Sequence, residues 1–182
     1  MRRDLDRDRL LEFLAALGRV AREPATVYLT GGATAVLHGW RNATVDVDLK
    51  LEPESDTLLR ALPRLKEELQ LNVELASPDG FVPELAGWRE RSPFVAQQGR
   101  LTVRHYDLYS QALAKIERGH ARDLLDVREM LARGLVDAAR LRVLFAEMEP
   151  SFYKYPAVDP PTFRRALEFV LEEPPIDCSE DG

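Results

Sequence analysis

Asp46 and Asp48 are the residues of this chain whose type and spacing point most directly to chemistry. They lie in Val45-Asp46-Val47-Asp48-Leu49-Lys50-Leu51, where apolar and charged residues alternate strictly. That alternation predicts a half-buried strand with Val45, Val47, Leu49 and Leu51 on one face and Asp46, Asp48 and Lys50 on the other. Carboxylates at i and i+2 of a strand project side by side. Like charges held that close are unfavourable unless a cation sits between them. Oxygen-only ligands suit magnesium or manganese, which also bridges nucleotide phosphates and can activate a hydroxyl. Taken alone, the pair also fits two aspartates that merely solvate an edge strand.

Gly31-Gly32 gives the pair a context. Val27-Tyr28-Leu29-Thr30 reads as a short strand that runs into the two glycines, and Ala33 to His38 has the small and apolar residues of a short helix. Backbone N–H groups and the dipole at such a helix start favour an anion, and glycine lets a phosphate approach the main chain. Strand, glycine turn, helix and Asp-x-Asp strand in that order make one phosphate-plus-metal design. Arg41 and Thr44, just before the first aspartate, either orient substrate or hydrogen-bond the loop.

The rest of the chain supplies elements to position these groups. Leu10, Phe13, Leu14, Leu17 and Val20 recur at helical spacing ahead of Pro24. Ser55 is placed to cap a helix with a stripe of Leu58, Leu59, Leu62, Leu65 and Leu69, in which Pro63 predicts a kink or a late start. Leu71 to Leu75 reads as a strand, Ala76 to Gly99 as a long loop rich in Pro and Gly with at most one helical turn, and Leu101 to His105 as another strand. Helical patterns follow over Tyr109 to Arg118, His120 to Arg133 and Asp137 to Met148. Asp159-Pro160 opens a last helix that Pro174-Pro175 should end. The expectation is an α/β fold, a small mixed sheet with flanking helices and a C-terminal helical extension. Residues 1–150 would form the main domain, with its core at about 25–135, and 151–182 a helix and polar tail packed on it.

Composition narrows the class without choosing a function. At 182 residues, 45% hydrophobic and 31% charged, the chain has the make-up of one ordinary globular domain. Its net charge of -6 argues against a broad basic surface for nucleic acid but leaves room for a local basic cleft. Cys178 is the only cysteine, so an intrachain disulfide or a cysteine-rich zinc site is excluded, which suits a reducing cytoplasm. Neither a signal peptide nor a membrane-spanning run is expected. His38, His105 and His120 have no metal-ligand spacing, and no catalytic part is expected of them. Trp40, Trp88, Phe94 and Tyr106 could stack a base, although most large aromatics anchor cores and loops.

The string Tyr28-Leu29-Thr30-Gly31-Gly32-Ala33-Thr34-Ala35-Val36-Leu37-His38-Gly39 through Arg41-Asn42-Ala43-Thr44-Val45-Asp46-Val47-Asp48-Leu49 resembles the polymerase-beta-type nucleotidyltransferases, whose fingerprint is a glycine pair followed by Asp-x-Asp. It looks most like the small bacterial branch that includes the AbiEii-type toxin enzymes. Ala114-Lys115-Ile116-Glu117-Arg118-Gly119 and Arg122-Asp123-Leu124-Leu125-Asp126-Val127 resemble that branch's downstream lysine and aspartate motifs. The likeness covers roughly residues 25–135 and speaks to the fold more strongly than to the activity.

The resemblance implies a metal-dependent transfer of a nucleoside monophosphate from a nucleoside triphosphate to an acceptor hydroxyl: a transfer RNA 3′ end, a protein hydroxyl or a small molecule. Asp46 and Asp48 would hold Mg2+ or Mn2+, Gly31 and Gly32 would bind phosphate with Arg41 and Thr44 beside them, and Lys115 would contact the triphosphate. Asp123 belongs to the catalytic set by the same likeness, yet it falls toward the apolar side of its helix, where a carboxylate needs a partner. Lys115, Arg118, Arg122 and Asp126 would share one polar face if the helix were unbroken, with Arg122 and Asp126 paired, but Gly119 could break the helix and reset that phase. A third carboxylate completes the metal site in this superfamily; Glu74 is the candidate, with Asp107 the alternative. A toxin-antitoxin role, with a cognate antitoxin or toxin as partner, follows from the likeness only. The rival readings are a non-catalytic nucleotide-binding module and an antitoxin-like regulatory protein of the same fold.

Overall fold

The computed structural model describes residues 4–172; Cys178 and Pro174-Pro175 lie outside them. In chain order the elements are α1 (Arg7–Val20), β1 (Ala25–Thr30), α2 (Gly31–His38), β2 (Asp46–Glu52), α3 (Asp56–Glu68), β3 (Asn72–Leu75), α4 (Trp88–Arg91), β4 (Phe94–Gln98), β5 (Leu101–His105), α5 (Leu108–Arg118), α6 (Ala121–Ala132), α7 (Ala138–Met148) and α8 (Pro160–Glu172), with short 3-10 turns at Pro78–Gly80 and Glu149–Lys154. The expected class, a small mixed sheet with flanking helices, is what the chain forms. The contacts of the described residues divide them into two units, 4–77 with 89–107 and 78–88 with 108–172. The division falls between Asp107 and Leu108, inside the stretch that carries the resemblance.

The first unit is built on a five-stranded sheet in the order β3-β2-β1-β5-β4. β1 pairs antiparallel with β2 and parallel with β5, β2 pairs parallel with β3, and β4 pairs antiparallel with β5. Period-two alternation then sorts the two faces. Val27, Leu29, Val47, Leu49, Leu51, Val73, Leu101 and Val103 form one core with Phe13, Leu14 and Leu17 of α1 and Leu58, Leu62 and Leu65 of α3. Thr30, Asp46, Asp48, Lys50, Asn72 and Glu74 stand on the other face by the same alternation and register.

Three local expectations need correction. Val45 lies ahead of β2 and is 57% exposed, because the strand begins only at Asp46. Pro63 does not delay α3, which starts at Asp56, and Ser55 occupies the N-cap without a side-chain capping bond. The stretch 76–99 is not all loop: Phe94–Gln98 is a strand, hidden from periodicity because it is an exposed edge whose register shifts between Phe94 and Ala96.

The second unit, as described, is helical. Phe145, Phe152 and Phe163 cluster with ring centroids 4.9 to 5.7 Å apart and join Leu141, Leu144, Leu167 and Val170 in the interior. Gly119, at φ +69°, separates α5 from α6, so the two do not form one unbroken helix. No helix among the described residues is long and apolar enough to cross a membrane.

Candidate active site

The direct junction of β1 and α2 sets the geometry of the first unit's polar face, with the helix starting at Gly31 and not at the expected Ala33. Thr30 is the N-cap of α2 in an extended conformation and makes no side-chain capping bond. Gly31 then adopts φ +59°, a left-handed conformation that favours glycine, and a Cβ placed on it would lie 2.6 Å from Oδ2 of Asp48. Gly32 is excluded from carrying a side chain for a different reason: its Cβ would collide with the hydroxyl of Thr44. The β2 register places Asp48 directly across from Thr30, so the second aspartate meets the start of α2.

Thr44 is buried and hydrogen-bonds within its own loop. Its Oγ1 donates to the Asp46 carbonyl at 3.2 Å, and its backbone pairs with Leu5 through bonds of 2.7 and 2.9 Å. Arg41 approaches the same turn, with Nη1 3.6 Å from the position of a Gly32 Cβ. The glycine pair, Arg41, Thr44 and the aspartates are thus collected on one side of the sheet.

On the next strand Asn72 lies in register with Asp46, and Glu74 with Asp48. Nδ2 of Asn72 donates to Oδ1 of Asp46 at 2.5 Å and to Oε1 of Glu74 at 3.2 Å. One amide therefore bridges two carboxylates and offsets part of their mutual repulsion. Sequence reasoning passed over Asn72, although its position two residues before Glu74 on a strand was the signal that it shares the face. Asp107, the other candidate for a third carboxylate, is fully buried beyond the end of β5, where Nε and Nη2 of Arg91 donate to its two oxygens at 3.2 and 2.9 Å.

Among the described residues no group of three or more His, Cys, Asp or Glu side chains is gathered closely enough to hold a metal by itself. The donor chemistry at Asp46 and Asp48 still fits magnesium, which keeps several waters and commonly takes one or two carboxylates together with substrate phosphates. The start of α2 beside Asp48 presents backbone N–H groups and a helix dipole that suit an anion, while the space that side chains at Gly31 and Gly32 would need is taken by Asp48 and Thr44.

The histidines are less scattered than their sequence positions. His38 at the end of α2 stacks on His105 of β5 with ring centroids 4.5 Å apart and on Trp40 at 5.3 Å. The Thr34 hydroxyl donates to the Leu29 carbonyl at 3.2 Å and so accepts from Nδ1 of His105 at 3.1 Å. Burial, helped by His38, pushes the His105 imidazole down to about 3, so it is neutral in the fold at ordinary pH. Trp88 and Tyr106 are 1% exposed and belong to cores, whereas Phe94 is 61% exposed.

In the second unit Lys115 is 5% exposed, and its ammonium is held by Asp123 at 3.0 Å and Asp126 at 2.7 Å. Arg118 donates from Nε and Nη2 to the two oxygens of Asp123, each at 2.8 Å. Burial alone would raise the Asp123 carboxyl, but the hydrogen bonds and charges of Arg118 and Lys115 outweigh it and hold its pKa below the ordinary aspartate range. The break at Gly119 turns Asp123 and Asp126 inward, which supplies the partner that Asp123 required.

A strand, a glycine turn, a short helix and an Asp-x-Asp strand joined in one mixed sheet are the arrangement of a nucleotidyltransferase. The chain belongs to the family described as Nucleotidyltransferase of unknown function (DUF6036), which matches residues 8–160. No curated protein and no solved structure gave a match.

Proposed function

We propose that this protein transfers a nucleoside monophosphate from a nucleoside triphosphate to an acceptor hydroxyl. The acceptor oxygen forms a bond to the α-phosphorus, the bond from that phosphorus to the bridging oxygen of the β-phosphate breaks, and pyrophosphate leaves with the electron pair. Asp46 and Asp48 would hold Mg2+ or Mn2+, which supplies charge neutralisation at the phosphates. Gly31 and Gly32 would admit those phosphates to the start of α2, with Arg41 adding positive charge. Glu74 would take the proton of the attacking hydroxyl.

The observation that supports this reading is the approach of Asp48 Oδ2 to Gly31. The aspartate proposed to hold metal and the glycines proposed to admit phosphate are neighbours in it. Kinship with the AbiEii-type toxin enzymes, a transfer RNA or protein acceptor and a toxin-antitoxin partner belong to the same proposal and rest on the residue strings 28–49 and 114–127. Lys115 and Asp123 enter it as residues whose ion pairs shape the second unit.

A second reading has its own support. A nucleotide-binding module without turnover would keep the same glycines and aspartates and would need no third carboxylate, and no three acidic or imidazole groups gather among the described residues. Incubation with each labelled triphosphate, magnesium and total RNA or lysate separates the two. Label transferred to an acceptor by the wild type, and lost in Asp46→Asn and Asp48→Asn, supports the enzyme. Metal-dependent nucleotide binding with no labelled acceptor supports the module.

A further inference from the structure

The first unit carries a second concentration of charge, of opposite sign, away from the aspartates. A pocket of about 610 Å³ is lined by Arg19, Val20, Ala21, Arg22, Thr57, Arg64 and Arg100. It lies where α1 ends, beside α3 and the turn between β4 and β5. Helices α1 and α3 pack on the apolar face of the sheet, opposite Asp46 and Asp48, so this pocket is not part of the nucleotide site. The chain has 31 acidic residues against 25 lysines and arginines, yet four arginines and no acid line this wall.

The wall is assembled by the fold. A Cβ on Gly18 would come within 2.5 Å of the Gln98 Cβ, and Gly99 at φ +60° sits against the Gly18 carbonyl, so the β4–β5 turn is seated directly on α1. That seating brings Arg100 to α1, where its Nη1 donates to the Arg22 carbonyl at 2.8 Å. A basic residue in the last turn of α1 complements the helix dipole, which accounts for Arg19. It does not account for Arg64 and Arg100, which converge on the same pocket from other elements. Arg64 pairs with Glu68 at 3.6 Å, an exposed i,i+4 contact of the kind that contributes little.

We propose that this pocket binds clustered phosphate groups. Four arginines lining one concavity supply concentrated positive charge and the paired N–H donors with which Arg grips phosphate. The lining holds no aromatic ring on which a base could stack, so the recognition is of phosphate and not of sequence. The phosphates come from a nucleic-acid backbone or from a free polyphosphate chain.

The test uses the full chain in EDTA, so that the aspartate site and its metal take no part and the proposed transfer reaction is not being read. Binding of a labelled single-stranded RNA is followed by anisotropy over a range of salt, with tripolyphosphate and poly-glutamate as competitors. Arg19→Gln with Arg64→Gln is the variant, which spares the Arg100 bond to the Arg22 carbonyl that seats the turn, and its thermal transition is checked first. The expected result is RNA binding that weakens by about tenfold or more in the variant, with the salt slope reduced by about 0.7 for each phosphate that is no longer neutralised. Displacement by tripolyphosphate at equal phosphate concentration identifies a free-phosphate site, and resistance to it identifies a nucleic-acid backbone site. Absence of RNA binding, equal binding by variant and wild type, or equally good displacement by poly-glutamate overturns the proposal.

Discussion

Gly31 and Asp48 are built against each other: the space a Gly31 side chain would need is taken by the Asp48 carboxylate. Replacement of Gly31 by Ala therefore acts twice. The left-handed backbone costs about 1–2 kcal/mol with a side chain present, and the new methyl displaces Oδ2 of Asp48. Urea unfolding should show that modest loss, while nucleotidyl transfer should fall well beyond what the remaining folded fraction explains. Transfer that merely follows the folded fraction would detach the turn from the site.

Glu74→Gln distinguishes a base from a binding group. Two aspartates remain to hold metal and triphosphate, so nucleotide affinity should stay within roughly tenfold, about 1.4 kcal/mol. Single-turnover transfer should fall by about a hundredfold, the usual scale for losing a general base. Asp107→Asn serves as the contrast: it leaves the half-buried Arg91 without its carboxylate and should lower stability while sparing transfer per folded molecule. The reverse pattern would move the third carboxylate to Asp107.

Lys115→Met leaves Asp123 and Asp126 buried without the ammonium they share. Breaking such a pair from one side costs about 3–5 kcal/mol, measurable as a drop in the urea midpoint of the unfolding transition. The deficit should shrink on acidification. In the wild type the depressed pKa of Asp123 contributes stability above about 3.9, the unfolded value, that is lost as pH falls through the folded one. In the variant the Asp123 carboxyl, freed of the ammonium, protonates at higher pH than in the wild type and relieves its burial cost. A deficit independent of pH between neutrality and about pH 4.5 would contradict this account of the ion pairs.

His105→Gln should flatten part of the pH profile of stability. The unfolded imidazole takes a proton below about 6.5, whereas the folded one stays neutral down to about 3. The unfolded state thus binds more protons in that window, and stability contributed by neutral His105 is present above the window and lost as pH falls through it. The slope is at most about 1.4 kcal/mol per pH unit. Denaturant titrations from pH 7 to 5 should show a smaller decline in the variant than in the wild type; parallel declines would mean that His105 is protonated without penalty.

The order of elements, the Asp-x-Asp face of β2 and the glycine pair at the junction of β1 and α2 were legible in the sequence because each is a local matter, although the helix starts at Gly31 itself and not at Ala33. Strand alternation fixes which side Asp46 and Asp48 take, and a glycine pair between an apolar strand and a helix pattern marks the turn. What only the tertiary structure decided is long-range pairing. The β2–β3 register set Glu74 across from Asp48 and let the Asn72 amide bridge two carboxylates. Packing brought His38 to His105, and Arg19 and Arg22 to Arg64 and Arg100. The Gly119 break brought Asp123 and Asp126 to Lys115, for Asp123 against the phase of a continuous helix. β4 escaped notice because an exposed, irregular edge strand buries too little to impose a period on its residues. Local patterns carry the direction in which a side chain points, but the partner it meets is set by which strands and helices pack together, and that choice depends on the whole chain's burial at once.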